Sequence, residues 1–408
     1  MKHNRILTWL CLLAGLSLLA PLTQAQSRIA FINPDGQLAT INPDGSEERT
    51  LSEGLNQYQF PAWSPDGSQL AALGSDLDGG FLQLFKDEPD ATPTELYRSR
   101  TEGPFYMYWA PNARDIAFLA NHPTGTLALH TVSVDADEQI LAFGSPFYWQ
   151  WSSDSQTLFL HSGFNSQQAR LGFSSRVRDT LGNNSLAQAG RFQAPGISNG
   201  GDYLAYATED NRGSFVVLSN NGQQNNDEVK REFPHLGLAA MTWSPVKDEL
   251  AFMSPTQNAP SYFGPISLLD AETGLLEPLS GESAFAFFWS PDGKYIVYFS
   301  AAKGGGDFAS SVQHAVERVQ LSGLSVNLID VEARTDSYLT DFVPSPLFTN
   351  QFLPFFDQYA LSHRIWSPDS DAIVVPAVIA NQIVIVTISL AGEIKVLSQG
   401  DTPFWNYR

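Results

Sequence analysis

The chain of 408 residues contains one cysteine, Cys11. It lies inside an N-terminal apolar run, so a disulfide framework and thiolate metal sites are both excluded. Charge is scarce and one-sided: Asp, Glu, Lys and Arg make up 16% of residues, and the net charge is −20. Lys2 and Arg5 fall in the first 25 residues, which hold no acid, leaving 21 basic against 43 acidic residues beyond them. The basic footprint that nucleic acid or an anionic membrane surface requires is therefore missing. No stretch after residue 25 approaches the ~18 uninterrupted apolar residues of a membrane span. Histidine is also sparse. His122, His130, His161, His235, His314 and His363 form no His-x-His or His-x₃-His pair, so no metal and no cofactor are expected.

What is abundant points to one fold class. Hydrophobic residues at 43% suffice for a large core, while 31 glycines, 25 prolines and 12% aromatics read as many short strands joined by tight turns. The N-terminus reads as an address. Two positive charges precede an apolar run over 6–20, and Thr23-Gln24-Ala25 places small residues at −3 and −1 of a cleavage site. Residues 1–25 are expected to be a signal peptide and 26–408 the exported chain, periplasmic or extracellular.

The chain repeats. Trp63-Ser64-Pro65-Asp66-Gly67 and Trp289-Ser290-Pro291-Asp292-Gly293 each precede an apolar strand-like run. Partial copies begin at Trp109, Trp151, Trp243 and Trp366, with a degenerate one at Ile197. The markers are spaced by 46, 42, 46, 46, 46 and 77 residues, and seven of the nine tryptophans occupy this position once Trp405 is included. The tryptophan is a large apolar plate suited to packing between sheets. In Ser-Pro-Asp-Gly, Pro presets φ, Asp bonds nearby backbone and Gly takes the left-handed position. Four strands per repeat of this length predict an all-β, closed β-propeller of four-stranded blades. Residues 402–408 read as a first strand without a continuation, and 28–33 as a second strand without a first. Trp405 then stands one repeat before Trp63, so the ends are expected to share a blade. That count gives eight blades, with seven the alternative if Ile197 is not a true marker.

These runs resemble the TolB-like propeller repeat, a relative of the WD-repeat propellers, over nearly the whole chain after residue 25. The resemblance implies architecture more than function. Such propellers serve as periplasmic protein-binding scaffolds, as gating domains of dipeptidyl-peptidase-type enzymes and as sugar-acid lyases. The chain departs from two of these patterns, having no domain before its propeller and no hydrolase domain after its last blade.

Two motifs invite chemistry and are better read as turns. Gly196-Ile197-Ser198-Asn199-Gly200 matches a nucleophile elbow but falls on the repeat's turn position. Asp76-Leu77-Asp78-Gly79-Gly80 is a fragment of a calcium loop without its remaining ligands.

The irregular lengths point to one face. The 77-residue step carries extra residues over 302–324 and 343–361, both expected away from the Ser-Pro-Asp-Gly turns. A third long loop, 254–263, belongs there too. Residues 309–321 are expected to include a short helix. The insertions hold Phe308, Phe348, Phe352, Phe355, Phe356 and Tyr359, and the third loop adds Tyr262 and Phe263. Such rings either cap the channel or make binding hot spots. The hot-spot reading names Phe352, Phe355, Phe356, Tyr359, His363 and Arg364 as ligand- or partner-binding residues, with Gln358 and Lys303 as nearby polar groups. No catalytic residue is assigned. The expected function is a non-catalytic, monomeric scaffold binding a protein, a peptide or a small ligand. The alternative is a carbohydrate-active lyase or hydrolase with its site at the channel mouth, which would require histidines such as His122, His161, His235, His314 and His363 to converge.

Overall fold

The structure, a computed structural model, describes residues 27–89, 91–163, 169–176, 186–191, 193–221, 230–256, 264–302 and 323–406. Eight antiparallel sheets follow one another around a ring, six with four strands and two with three. The chain is an eight-bladed β-propeller. Ile197 is a true marker, since Gly196–Ile197 forms the innermost strand of a four-stranded sheet. Among the described residues no helix is long and apolar enough to cross a membrane.

The ring closes as the termini suggested. Blade one takes its innermost strand, Asp401–Trp405, from the end of the chain, and Ile29–Ile32, Leu38–Ile41 and Arg49–Thr50 from its beginning. Ile29 pairs with Trp405 and Ala30 with Phe404. The seam is pinned beyond the strands, where Asn406 N donates to Arg28 O at 2.9 Å and Arg28 N donates to Asn406 Oδ1 at 2.8 Å. Blades two to eight follow in chain order, marked by residues 63, 109, 151, 197, 243, 289 and 366.

Each marker tryptophan does more than fill space. Trp109 Nε1 donates to Ala62 O at 3.0 Å, Trp151 Nε1 to Tyr108 O at 3.2 Å, Trp289 Nε1 to Thr242 O at 3.2 Å and Trp366 Nε1 to Phe288 O at 3.0 Å. Each ring thus bonds the preceding blade at the residue before that blade's own marker. Ile197 has no such donor. At this joint the preceding residue, Gln150, supplies both bonds itself: its Nε2 donates to Ile197 O at 3.0 Å and its Oε1 accepts from Ile197 N at 2.8 Å. In the turns that follow, Ser64, Ser152 and Ser290 donate to Asp66, Asp154 and Asp292 at 2.6–2.7 Å. Gly67 and Gly293 stand at φ +67° and +69°, where a side chain would be strained.

Candidate functional site

The site was sought on the face opposite these turns, and the second insertion lies there. After the outer strand Thr335–Phe342 of blade seven, the chain forms a π-turn over Phe348–Phe352, a 3₁₀ turn over Leu353–Phe355 and helix α1 over Phe356–Ser362. This segment does not stand on the surface. It enters the axial channel and meets the inner strand of every blade, or the residues leading into it.

The contacts run around the ring. Phe352 lies against Phe404 of blade one, with centroids 5.6 Å apart. Tyr359 packs on Phe60 of blade two at 5.2 Å and on Tyr106 of blade three at 5.1 Å. Gln358 bonds Trp149 of blade four. Asp357 Oδ2 accepts from Ala194 N, at the approach to blade five, at 3.3 Å. Helix α1 touches the inner strand Ala240–Trp243 of blade six. Phe356 meets Phe287 of blade seven at 5.1 Å, and the segment runs directly into Trp366 of blade eight. Residues 345–363 are therefore a plug.

The plug's polar groups are spent on one another. Tyr106 Oη lies 3.1 Å from Gln358 O and 2.8 Å from Ser362 Oγ, and Gln358 Nε2 donates to it at 3.0 Å. His363 Nε2 stands 3.3 Å from Phe60 O, which can only accept, so the ring carries its proton on Nε2. Nδ1 then accepts from Ser362 Oγ at 2.7 Å. A bulge in blade two, with Phe60 at φ +45°, takes this residue out of the ladder register. Burial drives His363 down to about 3, so the imidazole stays neutral. Asp357 shows the converse. Burial raises its carboxyl to about 6, against the opposing hydrogen bonds from Ala194 N and Gln358 N.

These positions correct the hot-spot expectation for most of its residues. Phe352, Phe356, Tyr359 and His363 are buried. They are core because the inner strands facing them carry Phe60, Tyr106, Trp149 and Phe287, and a channel lined by such rings closes on aromatic partners. Gln358 is buried and clamps Trp149, which leaves it no role in orienting a ligand. Phe355 differs. It is 44% exposed, beside Tyr148 at 6.4 Å. Arg364 is partly buried where the plug leaves the channel, and its carbonyl accepts from Trp405 N at 2.8 Å. Tyr262, Phe263, Lys303, Phe308, His314 and the helix expected within 309–321 lie outside the described residues.

The axial histidines do not gather around a common point. His161 is buried with Nδ1 3.1 Å from Gln193 O, while His363 is bound within the plug. Asp76 and Asp78 pair with Arg98 and Arg100 at 2.9 and 2.7 Å, so that hairpin tip forms ion pairs. Asp357 and the clamp on Trp149 escaped the sequence reading. Their signal was present in the large residues two or three places before the markers, which leave no room for an open channel.

Solved structures similar to this chain are propellers of diverse activity. One titled as a eukaryotic initiation factor aligns at a TM-score of 0.55 and 11% identity, over 94% of this chain and 98% of that one. TolB from Acinetobacter baumannii aligns at 0.43 and 13% identity, covering 93% of this chain, which spans 66% of the TolB chain. Oligogalacturonate lyase from Vibrio parahaemolyticus aligns at 0.46 and 14%, over 92% of this chain and 85% of that one. No protein-family model matches the chain, and no curated protein matches it in sequence. At these identities the likeness extends to the fold alone.

Proposed function

We propose that this chain is an exported, non-catalytic scaffold that binds a protein or peptide on its plugged face, with Phe355 as the exposed anchor. The observation that carries this reading is the plug itself. Side chains from eight blades could converge on a substrate only along the axis, and residues 345–363 occupy that axis with their own polar groups mutually bonded. What the plugged face still offers is an exposed ring on a rigid support, the kind of group that anchors interfaces. Export rests on the charged and apolar pattern of residues 1–25.

The test is affinity capture from envelope extract with wild-type chain and with Phe355→Ser. Because Phe355 is largely outside the core, the variant should keep its stability within about 0.5 kcal/mol. Lost capture at unchanged melting temperature supports the reading. A second reading draws on Asp357, because a carboxyl held near 6 at a channel is a candidate acid. Turnover of an acidic oligosaccharide that disappears in Asp357→Asn would replace the scaffold reading with that one.

A further inference from the structure

Away from the plug, four titratable side chains meet in blade three and the link leading into it. His130 sits in the strand Leu127–Ser133 and Glu138 begins the next strand, Glu138–Gly144. His122 follows the strand Asp115–Asn121, and Glu102 lies in the link between Thr94–Ser99 and Pro104–Trp109.

His130 is held as a ligand would be held. Its ring is 1% exposed, stacked on Phe118 at 4.7 Å and edge-on to Tyr97 at 5.4 Å. Nδ1 stands 2.6 Å from Glu138 Oε1. A carboxylate only accepts, so Nδ1 carries the proton, and in the neutral ring Nε2 presents a lone pair. That Nε2 is buried and has no hydrogen-bond partner, and it faces Glu102 Oε2 at 3.6 Å. Two electron-rich atoms thus face each other with nothing between them. The other oxygen, Glu102 Oε1, faces His122 Nε2 at 3.7 Å, while His122 Nδ1 is engaged by Thr124 Oγ1 at 2.7 Å.

We propose that Glu102, His122 and His130 bind a divalent transition-metal ion, Zn²⁺ foremost, with Glu138 as the positioning residue for His130. Two imidazoles and a carboxylate are a donor set suited to zinc. A carboxylate on the far nitrogen of a ligating histidine is the arrangement that fixes its tautomer and strengthens it as a ligand. Among the described residues no three such side chains already stand at coordinating separations. Donors sharing one tetrahedral zinc ion lie roughly 3.3 Å apart, so the two gaps must each close by a few tenths of an ångström. The side chains of His122 and Glu102 are 22% and 20% exposed, which gives the ion a way in and the ligands room to move.

The experiment is calorimetric titration of the purified full chain with ZnCl₂ at pH 7.5 after chelator treatment, with thermal unfolding as a second readout. One saturable site and a zinc-dependent rise in melting temperature are expected. His122→Ala, at a partly exposed position, should leave the metal-free chain's melting temperature unchanged and abolish both effects. Glu138→Gln should weaken binding about 10- to 100-fold. Absence of binding overturns the proposal and makes His130 an imidazolium held between two carboxylates. Binding undiminished in His122→Ala also overturns it, because the ion is then held elsewhere.

Discussion

Gln358 on the plug holds both backbone polar groups of Trp149 on the inner strand of blade four. Trp149 N donates to its Oε1 at 2.7 Å, and its Nε2 donates to Trp149 O at 2.8 Å. An inner strand has no sheet neighbour on its axial side, so a side-chain amide here stands in for a ladder partner. Removing it strands a buried N–H and a buried C=O. Gln358→Ala is expected to cost about 2–4 kcal/mol, from roughly 1–3 kcal/mol per unsatisfied group with partial relief by water. Chemical denaturation measures it, and a loss under 0.5 kcal/mol would show that the plug is not bonded to blade four.

The carboxyl of Asp357 gives the fold a pH dependence of its own. Its native pKa, near 6, lies above the ordinary 3.8, so the native state holds a proton that the unfolded chain has released between these values. Stability from this group is full below pH 3.8 and is lost as pH rises to about 6. The displacement corresponds to roughly 3 kcal/mol. Asp357→Asn should therefore stabilise by up to that amount at pH 8 and by little at pH 3.5. An equal gain at both pH values would mean that ionisation is not the cause.

His363 and His161 act in the opposite sense. Burial depresses them to about 3 and about 4. Their contributions are complete above the ordinary histidine value of 6.5 and fade as pH falls toward the native values. In the Asp357→Asn background, stability is expected to decline steadily below pH 6.5, and a flat profile to pH 4.5 would contradict the burial of both rings.

The joint at Ile197 has its own test. Gln150→Leu removes the two bonds that take the place of a tryptophan bond there. A loss of about 1–3 kcal/mol is expected. Thermal unfolding of Gln150→Leu beside wild type measures it, and an unchanged midpoint would reduce the amide to an incidental contact.

Ring closure is checked by truncation. Deleting residues 404–408 removes Trp405 and half of the pairing with Ile29 and Ala30. Burial of Trp405 alone accounts for roughly 3 kcal/mol or more, so the melting transition should broaden and fall. A truncated chain that melts as wild type would exclude a shared blade.

The repeat was legible because its signals are local. Trp63 and Trp289, with their Ser-Pro-Asp-Gly turns, mark strand ends within five residues, and even Ile197 kept its place through spacing. The destination of the 343–361 insertion was not legible in the same way. Phe352, Phe355 and Phe356 are the same residue type within five positions, yet the structure buries the first and last and exposes the middle one. That difference depends on Phe288, Phe404 and Phe287, which are distant in sequence and gathered only by the ring. The cluster around His130 was hidden for a related reason. Glu102, His122, His130 and Glu138 share no motif spacing and meet because a sheet and a link fold over each other.

The seam between Ile29 and Trp405 has a kinetic meaning. Every other blade is built from neighbouring stretches of chain, but blade one waits for residues 401–405, and the plug waits for blades that lie on both sides of it in sequence. Contacts of such long range form late. Seven sheets can be present while the ring is still a horseshoe, its axis wet and its two end blades bare along one flank. The final strand therefore works as a latch, and until it engages, the aromatic interior that ends up sealed is open to any binder of extended apolar chain.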